Sequence, residues 1–165
     1  MLNNKLKIIA ICGMKRSGKD TIADHIISKY DYEKIKLADP LKKAVQILFN
    51  FTDDQVGDSD DKDKIDPNWD ITPRKVMQFF GTEIMQYKIQ EILPTIGRKF
   101  WINSLISNMN MNPTKKYIIS DLRFLHEYEE LIKQNVFIIK VTRKTELLNE
   151  DNHISEEEWQ NIPEN

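Results

Sequence analysis

The chain opens its pattern with a continuous apolar run, Lys7-Ile8-Ile9-Ala10-Ile11-Cys12, closed by Gly13. A short run without alternation fits a strand buried on both faces, as in a parallel sheet. The period then changes. Ile22, Ala23, Ile26 and Ile27 share one helical stripe, with Asp20, Asp24 and Lys29 off it. Gly13 and Gly18 therefore fall at a strand-to-helix junction. Glu33 to Ala38 reads as a second, shorter strand. Pro40 opens a helix with apolar positions Leu41, Ala44, Val45, Leu48 and Phe49. Thr52 to Asp70 is an aspartate-dominated loop with Gly57 and Pro67, either a solvated surface loop or a metal site; it lacks the closing Glu of an EF-hand. Thr72 is placed as an N-cap with Pro73 at the first helical position, ahead of Val76, Met77, Phe80, Ile84 and Tyr87. A further helix is expected from Lys99 through Ile106, before Asn112-Pro113 breaks the chain. Tyr117 to Asp121 is a third apolar strand, Leu125 to Gln134 a helix, and Val136 to Val141 a fourth buried strand. Strands alternating with helices predict an α/β fold with a mostly parallel sheet.

Composition narrows the class. The chain has 165 residues, the size of one compact domain, and 40% hydrophobic with 30% charged residues is ordinary for a globular protein. A net charge of −2 supplies no basic field for nucleic acid or an anionic membrane. No run reaches a membrane span and no signal peptide is read, so the expected location is the cytoplasm, of a cell or of a virus-infected host. The single cysteine, Cys12, lies in the first apolar run and reads as a buried structural thiol.

The chemistry begins at Gly13-Met14-Lys15-Arg16-Ser17-Gly18-Lys19-Asp20-Thr21. Glycines let the backbone fold closely around an anion, with successive N–H groups pointing inward, and the following helix adds its positive end. Lys19 would reach the β- and γ-phosphates of ATP, with Lys15, Arg16 and Ser17 in the loop. The residue after the lysine is normally a Ser or Thr that ligates magnesium. Here it is Asp20, and the hydroxyl arrives one residue later at Thr21. Asp20 could bind Mg2+ directly or through water, or Thr21 could contact a phosphate.

Ligands of parallel α/β sheets bind at the carboxyl ends of the strands. The four strands are expected to end at the loop, at Asp39, at Asp121 with Arg123 two residues on, and at Arg143. Asp121 is placed as the second magnesium acid, or as the N-cap of the next helix. Arg123 and Arg143 have the chemistry to clamp phosphate oxygens. Arg74 sits in the first turn of its helix, against the dipole, either as a surface arginine or with an anion to bind. Phe100 and Trp101 read as core or as a base-stacking platform. His126 and His153 have no metal-site spacing.

Taken together, these pieces resemble the phage- and virus-type deoxynucleoside monophosphate kinases. The resemblance rests on the loop with its Lys19-Asp20-Thr21 ending, Leu37-Ala-Asp-Pro-Leu-Lys42, and Pro73-Arg-Lys-Val-Met-Gln-Phe-Phe-Gly-Thr82. It continues through Phe100-Trp101, Ser120-Asp-Leu-Arg123 with His126-Glu127 behind it, Val141-Thr-Arg143, and His153-Ile-Ser-Glu156. The loop and the Asp-x-Arg piece also occur in animal-type phosphomevalonate kinases. The resemblance implies a three-layer phosphate-loop kinase fold with an acceptor-binding part at about 40–110 and a lid at about 143–156. It also implies transfer of the ATP γ-phosphoryl group to a deoxynucleoside monophosphate. Lys19, Arg123 and Arg143 would be catalytic; Asp39, Lys42, Arg74, Gln78 and Arg123 would hold the acceptor; Asp20, Thr21 and Asp121 would hold Mg2+. Family members usually continue with a final strand and closing helix, whereas this chain stops nine residues after Glu156. The expectations that follow are a fold short of its last strand and helix, a homodimer that completes the site, or a catalytically weakened nucleotide-binding module. A kinase for hydroxyl acceptors, with Asp39 as base, is the other enzyme class considered.

Overall fold

The structure, a computed structural model, describes residues 7–14, 17–142 and 158–163. They form two compact units, Met1–Leu37 with Ile102–Asn165, and Ala38–Trp101.

The first unit is built on four parallel strands in the order β2-β3-β1-β4: β1 (Ile8–Gly13), β2 (Glu33–Ile35), β3 (Tyr117–Leu122) and β4 (Phe137–Val141). The central strand β1 pairs Ile9 with Ile118 on one side and with Phe137 on the other. Flanked on both edges, β1 has no solvated side, and Ala10, Ile11 and Cys12 are fully buried. This is why it carries an uninterrupted apolar run. Helix α1 (Lys19–Lys29) lays Ile22, Ala23, Ile26 and Ile27 over Ile9, Ile11 and Ile118. Burial of each such isoleucine contributes roughly 1.5–3 kcal/mol. Helix α6 (Leu125–Leu131) follows β3 and continues as a 3-10 turn, Ile132–Gln134, ended by Asn135 in the left-handed region. A 3-10 turn at Glu158–Asn161 buries Trp159 and Ile162; Lys140 Nζ of β4 donates to the Gln160 and Ile162 carbonyls at 2.9 and 3.0 Å.

The second strand is shorter than the pattern predicts and stops at Ile35. Its ladder ends because the next available amide, that of Leu37, donates to the Asp121 carboxylate at 2.8 Å. Asp39 is consequently not a strand tip. It is the first residue of α2 (Asp39–Phe49), where an acid suits the helix dipole.

In the second unit, α2 places Leu41, Val45 and Phe49 against Phe51, Val56, Ile71, Val76, Met77 and Phe80. The aspartate segment is more ordered than a solvated loop. It holds α3 (Asp53–Val56), closed by a Thr52–Gln55 capping box, and a 3-10 turn at Asp60–Asp63 capped by Ser59. Its acids work as local partners: Asp61 pairs with Lys64, Asp63 with Arg74, and Asp66 accepts from Gln55 at 2.8 Å and from the Asn68 amide at 2.9 Å. Thr72 caps α4 (Pro73–Gln78) by accepting from Lys75 N, as its position before Pro73 predicts. Beyond Gln78 the helix widens into a π-helix, Phe79–Tyr87, and closes with the Lys88 amide shared between the Glu83 and Ile84 carbonyls. A short 3-10 turn, Lys88–Glu91, follows. Helix α5 (Phe100–Met111) starts at the end of this unit and belongs to the first from Ile102 on; it runs past the predicted end at Ile106, because Met109 is buried one turn beyond Leu105. Trp101 Nε1 donates to the Gly81 carbonyl at 2.9 Å, so this ring is fixed by a backbone partner within the unit.

The Thr72 cap gives a direct test. Thr72→Ala removes the acceptor for Lys75 N and is expected to cost about 1 kcal/mol, or roughly 2–4 °C in Tm. Thermal unfolding of the variant that matches wild type would show that the cap contributes nothing.

Candidate active site

The site is built where β1 meets α1. Gly13 closes the strand with φ +145°, and a Cβ placed there would lie 2.3 Å from the Val141 carbonyl oxygen and 3.2 Å from Ser17 Oγ. Only glycine fits this close approach. Gly18 takes φ +97° as the N-cap residue of α1 and has no side chain with which to cap it. The first turn of α1 thus receives no side-chain cap and leaves its N–H groups to an anion. Lys19 stands at the start of that helix, 8% exposed, with Nζ donating to the Gly13 carbonyl at 2.7 Å and the Met14 carbonyl at 2.6 Å. Its ammonium is therefore held at the mouth of the loop. Ser17 Oγ is buried and has no hydrogen-bond partner among the described residues. An orphaned hydroxyl in a glycine-cornered loop beside a lysine fits a phosphate oxygen.

Asp20 faces β2 and β3. Its Oδ1 lies 2.7 Å from Lys34 Nζ and 3.5 Å from Lys36 Nζ, and accepts from Ser120 Oγ at 3.2 Å. Partial burial opposes its ionisation, but the hydrogen bonds and charges of Lys34, Lys36 and Ser120 outweigh that and hold the carboxyl below its usual range. Lys34 is shared with Asp24 at 2.9 Å. Burial pulls its ammonium down, and the two aspartates more than restore it, so it stays charged. Asp20 and Asp24 stand one helical turn apart on α1, and Lys34 of β2 reaches both.

Asp121 lies within β3, next to Ser120, and accepts from Leu37 N. Asp20, Thr21 and Asp121 offer only oxygen donors, which suits a hard cation such as Mg2+. Arg123 occupies the link between β3 and α6. Glu127, on the first turn of α6, is buried, and its Oε2 accepts from the amides of both Arg123 and Phe124, each at 3.0 Å. Burial pushes the Glu127 carboxyl up to about 7, with the Asp121 charge adding to the rise and the two amides and Arg123 working against it. Cys12 is buried below the loop, and burial raises its thiol.

The remaining site expectations fall in three groups. Gly13, Ser17, Gly18, Lys19, Asp20, Thr21, Asp121 and Arg123 lie together in the first unit. Asp39, Lys42, Arg74 and Gln78 lie in the second. There, Asp63 receives Arg74 through both Nε and Nη2, the latter at 2.9 Å, which answers the cation at a helix start. Lys15, Arg16, Arg143 and the expected lid at 143–156 lie outside the described residues.

A parallel sheet ordered β2-β3-β1-β4, with a glycine-cornered loop and a buried lysine between its central strand and the first helix, defines a phosphate-loop kinase fold. The family model for deoxynucleotide monophosphate kinase matches residues 7–65 and 59–162. A protein of Acanthamoeba polyphaga mimivirus, provisionally named a deoxynucleotide monophosphate kinase, is 32% identical over 94% of this chain and 83% of its own length. The deoxynucleotide monophosphate kinases of Enterobacteria phage T4 and Escherichia phage RB69 are 52% and 46% identical over short stretches, 24% and 27% of this chain and 17% and 18% of theirs. The chain belongs to the deoxynucleotide monophosphate kinase family. Among the described residues no helix is long and apolar enough to cross a membrane.

Glu127 makes a stability prediction. Its folded-state pKa of about 7 stands above the ordinary 4.5. The unfolded chain releases this proton first, so the group's favourable contribution is complete below about pH 4.5 and gone above about pH 7, a loss of about 3 kcal/mol. Glu127→Gln keeps an acceptor oxygen without the charge. Its Tm relative to wild type is expected to rise between pH 5 and pH 8; a difference that does not change with pH would refute the burial argument.

Proposed function

We propose that this chain transfers the γ-phosphoryl group of ATP to a deoxynucleoside 5'-monophosphate, giving the diphosphate. The observation that carries the reading is the Gly13–Thr21 loop, with the Lys19 ammonium at its mouth and the Ser17 hydroxyl buried and unpartnered among the described residues. The family match supports the acceptor class.

The acceptor is itself a phosphate, largely ionised at neutral pH, so no general base has to create the nucleophile. Catalysis reduces to placing two anions in line and neutralising their charge. In this reading the loop backbone and Lys19 hold the ATP phosphates, with Lys15, Arg16 and Ser17 assisting. Lys19 exchanges its two carbonyl partners for phosphate oxygens without leaving the loop. Mg2+, when held through Asp20, Thr21 or Asp121, supplies neutralisation of the β- and γ-oxygens. Asp20 is already engaged by Lys34, Lys36 and Ser120, and Asp121 by the Leu37 amide, so in this reading either acid would act on the cation through water. Arg123, which also binds the acceptor phosphate, and Arg143 cover the transferred group, with the 143–156 segment assigned as the lid. Asp39, Lys42, Arg74 and Gln78 are assigned to the acceptor, Arg74 exchanging Asp63 for its phosphate. A homodimer and a cytoplasmic location complete the reading.

Two measurements test it. Lys19→Ala is expected to lose roughly 3–4 kcal/mol of transition-state stabilisation, so that catalytic efficiency falls by about two to three orders of magnitude, by analogy with single oxyanion donors. A purified variant that turns over as fast as wild type would sink the mechanism. A panel of the four deoxynucleoside monophosphates, nucleosides and phosphomevalonate with ATP and magnesium is expected to show ADP release with monophosphates. Turnover confined to hydroxyl acceptors or to phosphomevalonate would replace this function, and tight ATP binding without turnover would mark a binding module.

A further inference from the structure

Glu127 forms more hydrogen bonds than its helix requires. A helix must satisfy its own first N–H groups, and a side chain at the third helical position commonly reaches back to the N-cap amide. The N-cap of α6 is Phe124, whose ring cannot accept a hydrogen bond, so Glu127 provides the cap from inside the helix. The Arg123 amide lies one residue before the N-cap and is not a helix group at all. Glu127 binds it nonetheless, through the same oxygen and at the same 3.0 Å. The carboxyl that does this is buried, which costs free energy. On either side the link is anchored by fully buried leucines, Leu122 at the end of β3 and Leu131 at the end of α6. Between those anchors, the Glu127 carboxyl oxygen fixes two successive amides of the segment that carries Arg123.

We infer that Glu127 is the positioning residue of Arg123: one buried carboxyl oxygen clamps the Arg123 and Phe124 amides and so sets the direction from which the guanidinium meets the transferring phosphoryl group. The inference rests on the reading of this chain as a kinase that uses Arg123. Glu127 touches neither nucleotide nor phosphate in this scheme and acts only through the backbone of its partner. What the clamp requires is an acceptor oxygen at that place. A glutamine can supply it; an alanine cannot.

The test has an arm that needs no turnover. In the ligand-free protein, amide exchange at Arg123 and Phe124 is expected to speed up about tenfold or more in Glu127→Ala, and to stay near wild type in Glu127→Gln. In the kinase assay, Glu127→Ala is expected to lose kcat on the order of 100-fold, the scale of a misplaced catalytic group, with the KM for ATP little changed. Glu127→Gln should restore most of that loss. In an Arg123→Ala background, adding Glu127→Ala should change kcat by less than about threefold, because the clamp then has nothing to aim. Glu127→Asp, one methylene too short to reach both amides, replaces the alanine in each arm if that variant fails to fold. Additive losses in the two backgrounds, or a glutamine variant as impaired as the alanine one, would overturn the inference. Unchanged exchange at the two amides would overturn it as well. If wild-type protein turns over no monophosphate, the functional reading fails by itself, while the exchange rates still decide whether the clamp exists.

Discussion

At Gly13 the backbone leaves the central strand with φ +145°, so close to the Val141 carbonyl that a single added carbon would stand 2.3 Å from the oxygen. The contact joins the ends of two neighbouring strands to the start of the loop. Because β1 is flanked by β3 and β4 and covered by α1, its end cannot move aside to admit a side chain. Lys19 finds the Gly13 and Met14 carbonyls within reach because the chain has turned back over itself there. Packing of the sheet and placement of the ammonium are thus one geometric fact, expressed first as burial and then as charge.

The charges are distributed rather than concentrated. Asp20, in the place of the usual hydroxyl, is braced by two lysines of the β2 segment and by Ser120. Asp121 holds the Leu37 amide and ends the β2 ladder. Asp63 receives Arg74 in the other unit. Each of these acids, a plausible ligand by its place in the sequence, has a protein partner in the structure. An acid already braced in this way is pre-oriented, so less ordering remains to be done when an ion or substrate arrives.

The loop, the strand before it and the helix after it are legible in the sequence because each reflects a local rule: an apolar run, two glycines, an amphipathic stripe. The Thr72 cap is legible for the same reason. The end of β2 is not, since its last amide is taken by Asp121, far away in sequence. The order within the aspartate segment escapes a reading by composition, because so many acids suggest solvation while Thr52, Ser59 and Asp66 are making caps and turns. Of the site, the loop residues and the Asp121-x-Arg123 pair stand out in the sequence, but not what holds them. Lys34, Lys36 and Ser120 reach Asp20 through tertiary contacts, and Glu127, which stands behind the Asp121-x-Arg123 piece, shows nothing there of the two amides it holds. The Arg74–Asp63 pair is half visible: the arginine stands out against its helix dipole, but its partner lies among many similar aspartates.

The π-helix Phe79–Tyr87 has a meaning of another kind. At its end the Lys88 amide divides itself between Glu83, five residues back, and Ile84, four back. Two windings of the same stretch are thus nearly balanced at that donor, one holding more residues per turn than the other. The inner residues of the stretch also hold side chains that follow it: the Gly81 carbonyl accepts from Trp101 Nε1 at 2.9 Å, and Gln86 Oε1 accepts from Arg98 Nε at 3.0 Å. A change of pitch in this stretch would therefore be felt at Arg98 and Trp101, beyond its own end.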